Sequence, residues 1–177
     1  MSEPSSPIIS QYTLTINEEN NNSEELSLES LRNPHIFDRV KHQLDQSQFF
    51  SLLGLIPYDA ILQCRKAELL IYLENDNEAF DLLKDNPLLL ARGLEAKLYV
   101  SLNQAQKGIS LVWPHFMMNE KQALEEAPID QEGHVHIFEM TAILAFRQSN
   151  FLLAKHFIDL ADVLAEHLDM QGRLVIL

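Results

Sequence analysis

The chain has 177 residues, 46% of them apolar, and its 26 acidic and 13 basic side chains give a formal net charge of -13. That length and composition suit a single domain with a real core. The charge argues against nucleic acid and anionic membranes as partners, because both attract Lys and Arg; a protein or peptide partner remains. The lone cysteine, Cys64, cannot form an internal disulfide, and beside Ala60, Ile61 and Ala67 it reads as a buried, inert thiol suited to a reducing compartment. The opening MSEPSSPIIS lacks a basic n-region and an apolar h-region, and no apolar run reaches the roughly 18 residues that span a bilayer, so a cytoplasmic location is expected.

Residues 1–32 form an acidic segment rich in Ser, Asn and Glu, with too little apolar surface to offset the entropy of ordering; a largely disordered tail is expected. Within it Tyr12-Thr-Leu-Thr-Ile16 alternates with the period of a strand. Residues 33–177 read as a single all-α domain. Asn33-Pro34 supplies an N-cap and a first-turn proline for a helix over about 34–46, carrying Ile36, Phe37, Val40 and Leu44. Gln48 to Leu53 is a short apolar turn that Gly54 should close. Pro57 opens a helix through Ile71, Asn75-Asp-Asn77 turns the chain, and Glu78 to Lys84 returns. Asn86-Pro87 starts a helix to about Leu102, and Asn103 breaks it. The next runs from Gln104 to Pro114, and 117–126 continues as helix. Ala127 to Gly133 reads as the clearest loop of the folded part. Two long helices, about 134–148 and 150–168, follow, and the uncapped apolar stretch 170–177 suggests a helix cut partway that a partner or second copy could cover.

Small residues recur twelve apart across three successive helical hairpins, as Ala67 and Ala79, Ala96 and Gly108, and Ala142 and Ala154. A small side chain from each helix at a crossing lets two axes approach closely. In the third hairpin Phe138, Ala142, Ala154, Ile158 and Ala161, with Ser149-Asn150-Phe151 at the turn, resemble the tetratricopeptide (TPR-like) repeat over about 35 residues. The earlier hairpins fit less well, since the first members of the small pairs lie 29 and 46 residues apart where the family expects about 34. The resemblance therefore implies an irregular α-hairpin solenoid. It also implies groove-facing positions at Lys97 and Val100 in the second hairpin and at His136, Glu139, Ile143 and Phe146 in the third. Trp113, beside Pro114, Phe116, Met117 and Met118, is a further partner-binding candidate, because tryptophan anchors interfaces and methionine adapts to them.

No phosphate loop, nucleophile elbow or HExxH is present, so neither catalysis nor a cofactor is expected of this chain. His134, His136 and Glu139 are the closest grouping of metal-ligating types, but residues two apart on a helix point about 200° from each other, so no metal site is expected there. His156 and His167 are three turns apart, and Glu125, Glu126, Asp159 and Asp162 read as solubilising carboxylates. The function expected from the resemblance is a protein-protein interaction module, such as the N-terminal sensory or scaffolding part of a bacterial regulator with a GGDEF or MalT-like output. A stand-alone chaperone for an apolar or secreted client is the alternative. Oligomeric state is open.

Overall fold

In a computed structural model the described residues are 13–17, 23–43, 46–56, 58–115 and 117–170. Two short strands, β1 (Thr13–Asn17) and β2 (Ser23–Ser27), pair antiparallel with Leu14 opposite Leu26. The alternation noted at 12–16 thus corresponds to a strand. A 3-10 turn, Leu28–Arg32, follows, and Leu28 and Leu31 are fully buried, so the packed body begins before Asn33. The apolar spacing of Leu28 and Leu31 puts both on one side of a short helical turn, which is enough to anchor it.

The remainder is helical among the described residues. α1 (Pro34–Gln43) is capped by the Asn33 side chain, which accepts from the Ile36 N–H at 3.2 Å. α2 (Gln46–Leu55) contains Gly54 inside the helix, where the sequence suggested its end; Leu52 on its inner side is fully buried. Helix α3 (Ala60–Tyr72) starts from Asp59, whose carboxylate accepts from the N–H groups of Ile61 and Leu62, each at 3.1 Å; the cap is therefore Asp59, two residues after Pro57. α4 (Asp76–Leu83) returns antiparallel. α5 (Leu89–Ser101) begins later than Asn86-Pro87 suggested, because the Asn86 side chain is committed to Leu88 N and to the Ala60 carbonyl, tying the starts of α3 and α5 together. α6 (Ala105–Val112), a 3-10 turn (Trp113–His115) and α7 (Glu120–Leu124) follow. α8 (Pro128–Arg147) and α9 (Phe151–His167) close the described fold.

Three hairpins, α3/α4, α5/α6 and α8/α9, turn in the same way. Each first helix ends at a residue in the left-handed region, Glu74 (φ 61°), Asn103 (φ 60°) and Ser149 (φ 60°). The next N–H then bonds back five residues, Asn75 to Leu70 O, Gln104 to Tyr99 O and Asn150 to Ala145 O. These are Schellman closures made without glycine. The end of α9 repeats the device at Asp169 (φ 55°), with Met170 N bonded to Ala165 O. All six small residues spaced twelve apart are buried, and a Cβ on Gly108 would lie 3.3 Å from Val100 and 3.9 Å from the Ala96 carbonyl, so that pair does mark a close helix crossing.

Within the expected loop 127–133, residues 128–133 are helix, and only Ala127 is extended, as the N-cap. Pro128 stands in the first turn of α8, where it gives up no intrahelical bond, and Gly133 is used for contact instead of for a turn. A Cβ at Gly133 would sit 2.8 Å from the backbone of Leu89 and Leu90, and one at Gly93 would sit 2.7 Å from the Gly133 carbonyl. The two glycines let α5 and α8 run parallel in near backbone contact. Every residue of α8 from Gln131 to Ala142 is buried, making it the central helix. The apolar end at 171–177, Phe116 and Pro57 lie outside the described residues.

Either glycine is expected to resist a methyl group. Gly133→Ala or Gly93→Ala should cost about 2–3 kcal/mol in urea unfolding, whereas Gly54→Ala, with nothing within 4 Å of the added carbon, should be neutral or stabilising by up to about 1 kcal/mol. Equal effects at the three positions would contradict the crossing.

Candidate functional site

Two clusters of titratable side chains flank α8, one on each side. The first lies between α1, α3 and α8. Arg65 projects from α3 and is completely buried; its Nε donates to Leu31 O at 2.7 Å, Nη2 donates to Arg32 O at 2.9 Å, and both Nη groups bond the Glu132 carboxylate. The Phe37 ring covers the guanidinium at 4.7 Å. Beside it Lys41 of α1 donates to Glu68 of α3 at 3.0 Å. Burial opposes ionisation of Glu68, yet Lys41, backed by His136, Arg65 and Lys97, holds its carboxyl well below the usual carboxylate range. Burial pushes Glu132 up, against the pull of Arg65.

Glu68, Glu132 and His136 place one ligand atom each within 4.8 Å of one another, a spacing a metal ion could use. The charges already balance, however, since Arg65 and Lys41 each engage one of the two carboxylates. A divalent ion would have to displace both cations in a low-dielectric interior. The arrangement fits a structural fastener that clamps the 28–43 segment onto α3 and α8 better than a metal centre.

The second cluster lies where the Trp113–His115 turn and the end of α7 meet α8. Asn119 and Gln122 form a capping box at the start of α7, and Gln131 of α8 donates to the carbonyls of Ala123 (3.3 Å) and Leu124 (3.1 Å) at its end. That docking brings Glu126 to His134, with 2.5 Å between Oε2 and Nδ1. The other ring nitrogen, His134 Nε2, lies 2.7 Å from Nδ1 of His115. Phe138, one turn along α8, stacks on His134 at 5.2 Å. The result is a carboxylate-imidazole-imidazole chain running from α7 through a buried ring to a half-exposed one. Burial pushes His134 down to about 4, with the Asp130 carboxylate opposing. Burial and then His134 also lower His115, and burial and then Asp130 raise Glu126.

The sequence-based binding candidates scatter across this structure. Val100 is buried against α6, and His136 and Glu139 are buried on the central helix α8, so none of the three lines an open groove. His136 packs against α5, where a Cβ on Gly93 would lie 3.0 Å from its own, and α1 also docks on this body: Lys41 reaches Glu68, and His35 at its start reaches the Asp169 carbonyl beyond α9 at 2.8 Å. Lys97 and Ile143 are half-buried. Phe146 is exposed at the α8/α9 turn with its ring 5.3 Å from Phe151. Trp113 is 67% and Met117 90% exposed, so they form surface and not core; Pro114 ends α6 and throws the turn outward. His134 and His136 do point to opposite sides of α8, each into a different cluster. Cys64 is buried, and burial pushes its thiol up to about 12, which leaves it unreactive.

Sequence reasoning missed Arg65, Glu132 and His115. A full charge inside the apolar helix α3 was the available signal for Arg65; reading 127–133 as a loop hid Glu132, which stands one turn before His136. No family model, curated protein or solved structure matches this chain.

Removing one partner of the buried pair should be costly. Glu132→Gln is expected to lose about 3 kcal/mol and Arg65→Met about 4–5 kcal/mol by chemical denaturation, the larger loss because Arg65 also satisfies the Leu31 and Arg32 carbonyls. Equal losses would remove that second role. For His134, the unfolded imidazole binds a proton near pH 6.5 that the folded one refuses until about pH 4. Stability from this group is therefore complete above pH 6.5 and is lost as pH falls toward 4, by roughly 2–3 kcal/mol. His134→Gln should flatten that part of the stability profile relative to the parent protein.

Proposed function

We propose that the chain is a protein-interaction module of the repeated α-hairpin, TPR-like kind, acting by holding a partner segment and not by catalysis. The observation that carries this reading is the backbone equivalence of the three hairpin turns at Glu74, Asn103 and Ser149, joined to buried small residues at each helix crossing. Such hairpins cannot each bury an apolar face alone, and stacking them leaves extended surfaces for binding.

The binding face differs from the one implied by the family pattern, because Val100, His136 and Glu139 are buried. Instead the reading centres on the hairpin-turn edge. The parallel course of α3, α5 and α8 brings their turns to one side, and there Phe146, Phe151 and Leu152 form a contiguous apolar surface, with Leu102 exposed at the neighbouring turn. Leu152 is 86% exposed on the first turn of α9, a position where a polar residue would serve folding equally well. The net charge of -13 favours a partner that presents basic residues around apolar anchors.

A photo-crosslinking residue placed at 152 should give one discrete protein adduct in cells, whereas the same residue at 166, on the polar side of α9, should not. Phe151→Ser with Leu152→Ser should abolish the adduct formed from a crosslinker at Phe146 while changing stability by no more than about 0.5–1 kcal/mol. Absence of any adduct at 152, or an identical one at 166, would overturn the reading.

A further inference from the structure

The Glu126–His134–His115 chain has the construction of a metal-binding histidine pair. A histidine that ligates a metal through one ring nitrogen usually donates the other N–H to a carboxylate, which sets the tautomer and raises the basicity of the ligating atom. His134 has that arrangement: Nδ1 faces the Glu126 carboxylate, and Nε2 is turned to Nδ1 of His115. With Nδ1–H donated to Glu126, Nε2 of neutral His134 carries a lone pair, so the short contact to His115 needs a single proton between the rings or a cation in its place. The ring of His115 meets His134 edge-on, with centroids 4.7 Å apart.

The electrostatics differ from those of the Arg65 cluster. The groups facing His134 are Glu126 from the end of α7, Asp130 from its own helix, His115 from the 3-10 turn, and the uncharged ring of Phe138. Among the described residues the only ion-pair partner of Glu126 is His134, and no Lys or Arg engages the cluster. Two carboxylates and two imidazoles thus lack a balancing positive charge, where Glu68 and Glu132 already have one each.

We propose that His134 Nε2 and His115 Nδ1 bind a late first-row divalent cation, Zn2+ or Cu2+, with Glu126 as the positioning carboxylate behind His134. Imidazole ligands suit these ions, and bonds of about 2.0–2.1 Å at tetrahedral angles separate two ring nitrogens by about 3.3–3.4 Å. His115 would need to move outward by about 0.6–0.7 Å from its 2.7 Å contact, and it sits on a surface turn of three residues. Its half-exposure leaves the remaining positions to water. His134, on the rigid central helix, provides the fixed ligand, and His115 provides the entry path.

Trp113, the only tryptophan of the chain, lies two residues from His115 and reports occupancy directly. Untagged, chelator-treated full-length protein is titrated with CuCl2 at pH 7 while Trp113 emission is followed, and with ZnCl2 by calorimetry. One equivalent should bind, quenching most of the emission in the copper titration. His115→Ala should weaken binding at least tenfold, and Glu126→Gln about tenfold, while the exposed-residue variants His156→Ala and His167→Ala should leave it unchanged. No binding at 100 µM metal, unchanged affinity in His115→Ala, or loss in the His156 or His167 variants instead would each overturn the proposal. His115 is half-exposed, so its variant is expected to fold, and circular dichroism checks that it does.

Discussion

The near-contact of α5 and α8 at Gly93 and Gly133 sets the positions of every other element around the site. With no side chain between the two backbones, α8 sinks to the centre of the molecule and is covered by α5, α9, α6, α7 and α1 in turn. A helix surrounded in this way has no solvent face along most of its length, which is why its residues show no amphipathic stripe from Gln131 to Ala142. Helical geometry then distributes its polar groups. Glu132 and His136, four apart, point toward Arg65 and Lys41, while His134, between them in sequence, points to the opposite side and meets Glu126 and His115.

The two clusters answer the same physical problem, charge in a dry interior, in different ways. Around Arg65 each carboxylate has a cation, and the guanidinium also satisfies two main-chain carbonyls of the N-terminal segment, so the network ties residues 28–43 to the body of the protein. Burial of such a pair contributes little net stability, but it penalises any arrangement in which one partner is left alone. Around His134 the carboxylates are not matched by Lys or Arg, and the imidazoles remain neutral by burial. The first cluster is closed both sterically and electrostatically; the second reaches the surface through His115.

The hairpin turns show how a repeat can be present in the backbone and faint in the residues. Each uses a left-handed position, and a glycine there would have announced itself. Glu74, Asn103, Ser149 and Asp169 occupy it instead, at a cost of about 1 kcal/mol each for a residue with a Cβ, less for Asn and Asp. The Schellman bonds and the packing of the paired helices offset that cost. Glycine was spent elsewhere, at Gly93, Gly108 and Gly133, where space and not φ is the constraint.

Helical class, the three hairpins and the small residues at their crossings were legible from the residues, because period and side-chain size act locally and leave a local trace; the strand at 13–17 lies in a segment whose composition reads as a disordered tail. The Asn33 cap was also legible, and the inert thiol of Cys64 followed from its apolar neighbours. The role of Gly133, the continuation of α8 back to Pro128 and the burial of Val100, His136 and Glu139 were decided only by tertiary packing, since a glycine that ends a helix and one that admits a neighbouring backbone look the same in sequence. For the same reason His115 and His134, nineteen positions apart, and Arg65 and Glu132, sixty-seven apart, became partners only in three dimensions. Chain periodicity determines which residues face inward along one helix; which groups from other helices they meet depends on how the helices cross, and that was decided by two glycines in different helices.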